Sequence, residues 1–329
     1  MEQRRIGKNG PLVSSIGLGC MGMSIGYGPG NDAESIKVIH RAIDLGVTLL
    51  DTADAYGWGH NEELIGKAIQ SHRYKLILTT KMGFAKSEGG ADALGYYLNG
   101  KPEYIKTACE ASLKRLKTDV IDLYYLHRVD PTTPIEDSMG AMADLMKAGK
   151  IRHVGISEVK PNTIRRAVSV CPITAVQTEF SLWERNPQKE IIPVCQELGI
   201  GFVAYSPLGR GFLTGTVTDM NKLSPDDFRR ILPRFQDQNF EANKKLIAEF
   251  KGIAESKKIT MGQLALAWVL AQPENIVPIP GTKRIAYLEE NVAAVNVHLS
   301  QEELGVLNQL FPINSAKGNK YPEAFETEA

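Results

Sequence analysis

The stretch GVTLLDTADAYGWGHNEELIGKAI, residues 46–69, holds one strand, one loop and one helix in sequence. Its β-branched and leucine-rich opening predicts a strand over 46–51, and HNEELIGKAI repeats apolar residues at helical spacing. Between them stand Asp51 and, five residues on, Tyr56. A turn in which an acid bonds nearby backbone N–H groups explains Asp51 by itself. A chemical role for the pair requires that the unit recur and bring further polar groups to the same place.

The unit does recur. Strands are predicted at 14–19, 46–51, 76–81, 120–127, 152–157, 174–179, 201–206 and 275–281, each separated from the next by a helical pattern. The helix NDAESIKVIHRAIDLG has Asn31 or Asp32 as its N-cap and Gly46 just past its end, and PEYIKTACEASLKRL opens on Pro102. The strands are apolar throughout rather than alternating, as in sheets covered on both faces. Eight β/α units without a Pro-, Gly- or Ser-rich linker predict a single (β/α)8 TIM barrel over residues 1–329. RRIGKNGPLVSSIG predicts an N-terminal hairpin around Asn9-Gly10 that plugs the barrel bottom. Two long connections, MGFAKSEGGADALGYYLNGK and residues 206–240, are expected to rise from the C-terminal face.

Composition narrows the function classes. Thirty-eight Lys plus Arg balance thirty-eight Asp plus Glu, so net charge draws the chain toward neither nucleic acid nor an anionic membrane. No apolar run is long enough for a membrane span, and MEQRRIGKNG gives no expectation of a signal peptide. Cys20, Cys109, Cys171 and Cys195 lie far apart, which fits reduced thiols in a cytoplasmic protein. The six histidines form no ligand pair, so no metal is expected. GLGCMG, residues 17–22, imitates a dinucleotide fingerprint, but MSIGYGPG follows where a helix should start. The spacing of Tyr97 and Lys101 in YLNGK imitates a dehydrogenase pair, but Gly100 and Pro102 keep it off a helix.

In a barrel of this kind, strand ends converge on one mouth. The second, third and fourth strands then deliver Asp51, Lys81 and His127, with Tyr56 just beyond the first. A phenol titrates near 10, and a neighbouring ammonium lowers that value. Asp51 would keep Lys81 charged, and His127 would orient a substrate oxygen. Together they make a general acid for an oxygen that gains negative charge, such as a carbonyl receiving a hydride.

On GLGCMGMS, LLDTADAYGWGHNEELIGKAI, TTKMG, DLYYLHRVDP, KIRHVGISE, AVQTEFSLW, VAYSPLGRGFLTG and IPGTKRIAYLEEN, in this order, the sequence resembles the aldo-keto reductases over nearly its whole length. Its closest likeness is to the bacterial and plant branch that includes perakine reductase. The resemblance implies a catalytic tetrad of Asp51, Tyr56, Lys81 and His127, with Tyr56 as proton donor, and NADPH as cofactor for reducing aldehydes or ketones. It implies that Ser157 and Gln177 bond the nicotinamide carboxamide and that Tyr205 stacks on its ring. It places Met21, Gly22, Ser206, Leu208, Gly209 and Arg210 around the dinucleotide. Gly281, Thr282, Lys283, Arg284 and Asn291 would meet its adenosine 2′-phosphate end. Glu158 and Tyr287 depart from the family pattern, which commonly has Asn and Arg there. Candidate mouth residues Cys20, Met21, Tyr27, Trp58, Phe84 and Trp183 are mostly apolar and favour aromatic or medium aliphatic carbonyls over charged sugars. Two alternatives remain at this level: a Schiff-base lyase using Lys81, and a cofactor-binding regulatory module of the same fold.

Overall fold

The computed structural model describes residues 1–87 and 95–322. Strands β1 (Gln3–Arg5) and β2 (Leu12–Ser14) form the antiparallel N-terminal hairpin. The barrel then follows as β3 (Leu18–Gly19), α1 (Asp32–Asp44), β4 (Leu49–Asp51), α2 (His60–Ile69) and β5 (Ile77–Met82). A side hairpin of β6 (Phe84–Lys86) and β7 (Tyr96–Leu98) precedes α3 (Pro102–Leu116). Next come β8 (Ile121–Leu126), α4 (Ile135–Lys147), β9 (Ile151–Ser157), α5 (Pro161–Val168), β10 (Ile173–Glu179), α6 (Ile191–Leu198) and β11 (Gly201–Tyr205). Helices α7 (Asp237–Ser256) and α8 (Met261–Leu270), strand β12 (Ile276–Ile279), and helices α9 (Ile285–Ala293) and α10 (Gln301–Leu310) complete the order.

The eight barrel strands pair in parallel in the order β12-β11-β10-β9-β8-β5-β4-β3, and a parallel bridge between Gly19 and Gly281 closes the ring. Glycine is required at this seam. A Cβ on Gly19 would stand 2.8 Å from the Ile279 carbonyl oxygen. The first barrel strand is shorter than the predicted 14–19, because Ser14 ends the hairpin and exchanges hydrogen bonds with Thr48 at 2.7 and 2.9 Å. The hairpin does plug the barrel. Its Ile6 and Val13 pack with Leu49, Leu123, Tyr125, Ala175, Val203 and Val277 in the interior cluster.

Strand period two decides what reaches the mouth. Leu50, Leu78, Tyr124, Val176, Phe202 and Ile276 face outward into the layer under the helices. The alternate positions face the barrel axis, and toward the ends of five of the strands the apolar stack gives way to polar groups. Leu49 leads to Asp51, Ile77 and Thr79 to Lys81, Leu123 and Tyr125 to His127, Ala175 to Gln177, and Val203 to Tyr205.

The connection after β11 is a chain of short 3-10 turns running to α7, and the connection after β5 holds the β6–β7 hairpin. Residues 88–94, the centre of the second, lie outside the described residues. Helix α10 was not among the predicted helices, although Ser300 and Glu303 form a reciprocal capping box at its start. Among the described residues no helix is long and apolar enough to cross a membrane, and no group of His, Cys, Asp or Glu is arranged to hold a metal ion.

Candidate active site

Asp51, at the end of β4, is 3% exposed, and Lys81 on β5 is 1% exposed. The Lys81 ammonium donates to Asp51 Oδ1 at 2.5 Å, to the Thr52 carbonyl at 2.8 Å and to the Tyr56 hydroxyl at 3.1 Å. All three of its protons are thereby placed. The second Asp51 oxygen accepts from Thr79 Oγ1 and from Gln177 Nε2, each at 2.8 Å. The loop carrying Tyr56 is pinned by Asn61. Asn61 accepts from Thr52 Oγ1 at 2.6 Å and donates to the Cys20 carbonyl at 2.9 Å. The His127 ring meets Tyr56 edge-on, with centroids 5.8 Å apart, and its Nδ1 is buried without a partner among the described residues. The four groups read from adjacent strand ends therefore share one site.

The electrostatics bear on the protonation of Lys81, Tyr56 and His127. Burial pulls the Lys81 ammonium down, but Asp51 and Tyr56 outweigh it and hold the pKa above the ordinary value. Burial pushes the Tyr56 phenol up; Lys81 pulls it down, as the sequence predicts, but by less, so the net shift is upward. The lowering expected from Lys81 alone is thus corrected by desolvation. Burial, with Lys81 and Arg128 beside it, holds His127 well below the usual histidine value, so the ring is neutral.

On the other side of the mouth, the residues expected around a dinucleotide are held by partners within the protein. Ser157 is buried and accepts from the Arg128 guanidinium at 3.3 Å. One N–H of the Gln177 amide is engaged by Asp51, which leaves its oxygen and its second N–H for a carboxamide. The Tyr205 hydroxyl meets that of Tyr321 at 2.8 Å. Arg210 pairs with Glu179 at 2.6 Å and donates to the Tyr321 hydroxyl at 2.7 Å, so the Gly209–Gly211 turn is anchored rather than loose. Glu158 accepts from the Glu179 backbone at 2.9 Å and pairs with Lys320 at 2.5 Å. Lys320 and Arg128 outweigh the burial and bring its carboxyl down to about 2. The carboxylate that departs from the family pattern is thus tied to the C-terminal segment.

Met21 and Gly22 form a 3-10 turn behind the first barrel strand, and Ser206 and Leu208 lead into the Gly209 turn. Gly281 lies at the seam, and Asn291 is buried in α9. The Lys283 ammonium is held by the carbonyls of Tyr27, Gly28 and Pro29 at 2.7, 3.2 and 2.8 Å. Arg284 is exposed beside Tyr287, and the Thr282 hydroxyl accepts from its backbone N–H at 3.1 Å. Of the mouth candidates, Trp183 is buried and stacks on Phe212 at 3.9 Å, whereas Trp58 is 40% exposed. Cys20 is fully buried and donates to the Leu18 carbonyl.

Eight non-glycine residues among those described have left-handed φ, and Trp58, Glu158, Ser206 and Arg210 at the mouth are half of them. Such backbone persists where surrounding contacts over-determine it, and it collects at functional sites. Arg128, Lys320 and Tyr321 were missed in the sequence. Arg128 carried a usable signal, since it directly follows His127 at a strand end.

A closed parallel barrel with a buried acid, lysine and imidazole and a half-buried phenol at its C-terminal mouth belongs to the enzymes that work from strand ends. The model of the Aldo/keto reductase family matches residues 15–311, and the chain belongs to that family. It is 45% identical over 319 residues to a probable aldo-keto reductase 1 of Glycine max, covering 96% of this chain and 91% of that one. It is 44% identical over 324 residues to a Schizosaccharomyces pombe protein named aldo-keto reductase yakc, a name that specifies NADP(+), covering 97% and 94%. Among solved structures it is similar to the glycerol dehydrogenase AKR11B4 of Gluconobacter oxydans, with TM-score 0.85, 29% identity and 98% of each chain covered. This is an oxidoreductase family, and the barrel expected from the sequence is the fold observed.

Proposed function

We propose that this protein reduces aldehydes or ketones to alcohols with NADPH, and runs in reverse on alcohols, with Tyr56 as general acid. The observation that carries this reading is the Tyr56 hydroxyl, 3.1 Å from a buried ammonium that Asp51 holds charged. The raised pKa keeps the phenol protonated at neutral pH, as a proton donor must be. When that proton leaves, Lys81 stands ready to stabilise the phenolate. The neutral His127 ring lies edge-on beside Tyr56, where it can orient the same substrate oxygen. The Schiff-base alternative needs a neutral, unencumbered lysine, and the three bonds to the Lys81 ammonium speak against it.

The chemistry of the rim fits a nicotinamide dinucleotide phosphate, which also suits the yakc relative's name. Ser157 and the Gln177 oxygen match a carboxamide, and Tyr205 offers a ring face. The turn through Gly209, Arg210 and Gly211, with φ of 56, 56 and 88°, stands where the pyrophosphate is expected, its Gly209 and Gly211 N–H groups resting on the Ser206 and Leu208 carbonyls. Arg284 and the start of α9 suit a 2′-phosphate. When bound, this cofactor supplies the hydride.

The test is NADPH oxidation across a carbonyl panel by the wild type and by Tyr56→Phe. The variant is expected to lose at least about a hundredfold in kcat while keeping NADPH affinity. Turnover within about threefold of wild type, far short of that general-acid loss, overturns the assignment.

A further inference from the structure

Arg128 is a strongly basic group at the mouth that neither the tetrad nor the expected cofactor contacts use, and among the described residues it has no carboxylate partner. It directly follows His127, and a single nitrogen, Nη1, donates both to the His127 carbonyl at 2.7 Å and to Ser157 Oγ at 3.3 Å. Nε and Nη2 make no hydrogen bond to the described residues, and no carboxylate among them lies within ion-pair distance. Glu158 would be the natural counter-ion, but its oxygens are taken by Lys320 and the Glu179 backbone. The guanidinium is half-buried, and the Tyr321 ring lies 5.9 Å from it. Thinly hydrated and with most of its donor fork unspent, it is built to meet an anion bidentately.

Resting on the carbonyl-reductase reading, we propose that Arg128 is the substrate's anion receptor, and that the carbonyl compounds this site prefers carry a carboxylate. Arg128 directly follows His127, and its Nη1 donates to the His127 carbonyl at 2.7 Å, so the anion receptor and the imidazole belong to the same stretch just past the end of β8. The Phe84 ring meets His127 at 4.8 Å and Tyr96 meets Phe84 at 5.0 Å, an aromatic wall suited to a flat substrate. Aromatic aldehydes with a ring carboxylate satisfy both demands. The apolar mouth expected from the sequence therefore has one charged corner.

The experiment compares 2-, 3- and 4-carboxybenzaldehyde with the three methylbenzaldehydes, in the wild type, Arg128→Gln and Arg128→Lys. In the wild type at least one carboxylate isomer is expected to exceed its methyl partner in kcat/KM by about tenfold or more, the scale of one charge-assisted bond. Arg128→Gln abolishes that ratio, and Arg128→Lys, which keeps the charge but not the fork, stands between. No carboxylate preference in the wild type, or one that survives in both variants, overturns the proposal. If the wild type reduces the methylbenzaldehydes without favouring any acid, only the Arg128 assignment falls. If it reduces none of the six, the reductase reading falls, and benzoate binding by calorimetry decides Arg128. There, Arg128→Gln is expected to weaken benzoate at least about tenfold and to spare NADP+. Equal or absent benzoate binding, or a loss that falls on NADP+ instead, overturns it.

Discussion

The floor of the mouth and its rim are built on opposite plans. On the floor, Lys81 bonds both Asp51 and Tyr56, so the arrangement that the proposed proton transfer needs is already in place. On the rim, the groups suited to a dinucleotide hold other parts of the protein: Lys283 the 27–29 loop, Tyr205 the C-terminal segment, Gln177 the floor itself. A proton donor gains from fixed geometry, because alignment achieved before the reaction needs no reorganisation during it. A cofactor that must enter and leave meets a surface whose polar groups are kept satisfied until they exchange partners.

The sharpest way to break this contrast is to break the floor. Asp51→Ala strands a buried ammonium and is expected to cost about 3–5 kcal/mol of stability. Asp51→Ala with Lys81→Met should cost far less than the sum of the single variants, since the pair is removed as a unit. Chemical denaturation of all four proteins measures this, and additive losses would mean the floor is not one network. The next effect lies on the rim and depends on pH. The Glu158 carboxyl titrates near 2 in the folded protein against 4.5 ordinarily, because Lys320 and Arg128 outweigh its burial. The folded state therefore binds fewer protons in that window, and stability is complete above about pH 4.5 and lost as pH falls toward 2. At about 1.4 kcal/mol per unit, the term is on the order of 3 kcal/mol. Lys320→Met should remove much of it, raising the pH of acid unfolding while leaving stability near pH 3, where the tether is already failing, less changed. An unaltered acid transition would show that the tether carries no stability.

The smallest effect separates the two rim cations. Lys283 is occupied by three carbonyls and Arg284 is exposed, so Arg284→Ala should lower the NADPH-over-NADH ratio of kcat/KM by about tenfold. Lys283→Ala should change the ratio less, and should loosen the 27–29 loop, read as faster hydrogen exchange there. The reverse ranking would mean that Lys283 leaves its carbonyls for the phosphate.

How much of this was legible in advance follows the same division. The strand–helix alternation and the doubly covered strands are written in local periodicity, and the barrel follows from them. The floor was legible too: a strand of period two whose inward positions run Leu49, Asp51 or Leu123, Tyr125, His127 must turn polar at its end, and parallel strands end together. Even α10 was readable in its Ser300 and Glu303 capping box. What no local pattern contained was the partner of each rim group. Lys283 and Tyr27 lie 256 residues apart, Glu158 and Lys320 162, and Asp51 and Gln177 126. Nor did it contain the sign of the Tyr56 shift, in which burial exceeds the pull of Lys81. Periodicity is a short-range property of the chain, so the sequence by itself determined the barrel and the inventory of its floor. Desolvation and charge pairing depend on what distant segments bring within a few ångströms, so only the tertiary structure decided which rim groups are engaged and left the Arg128 fork open.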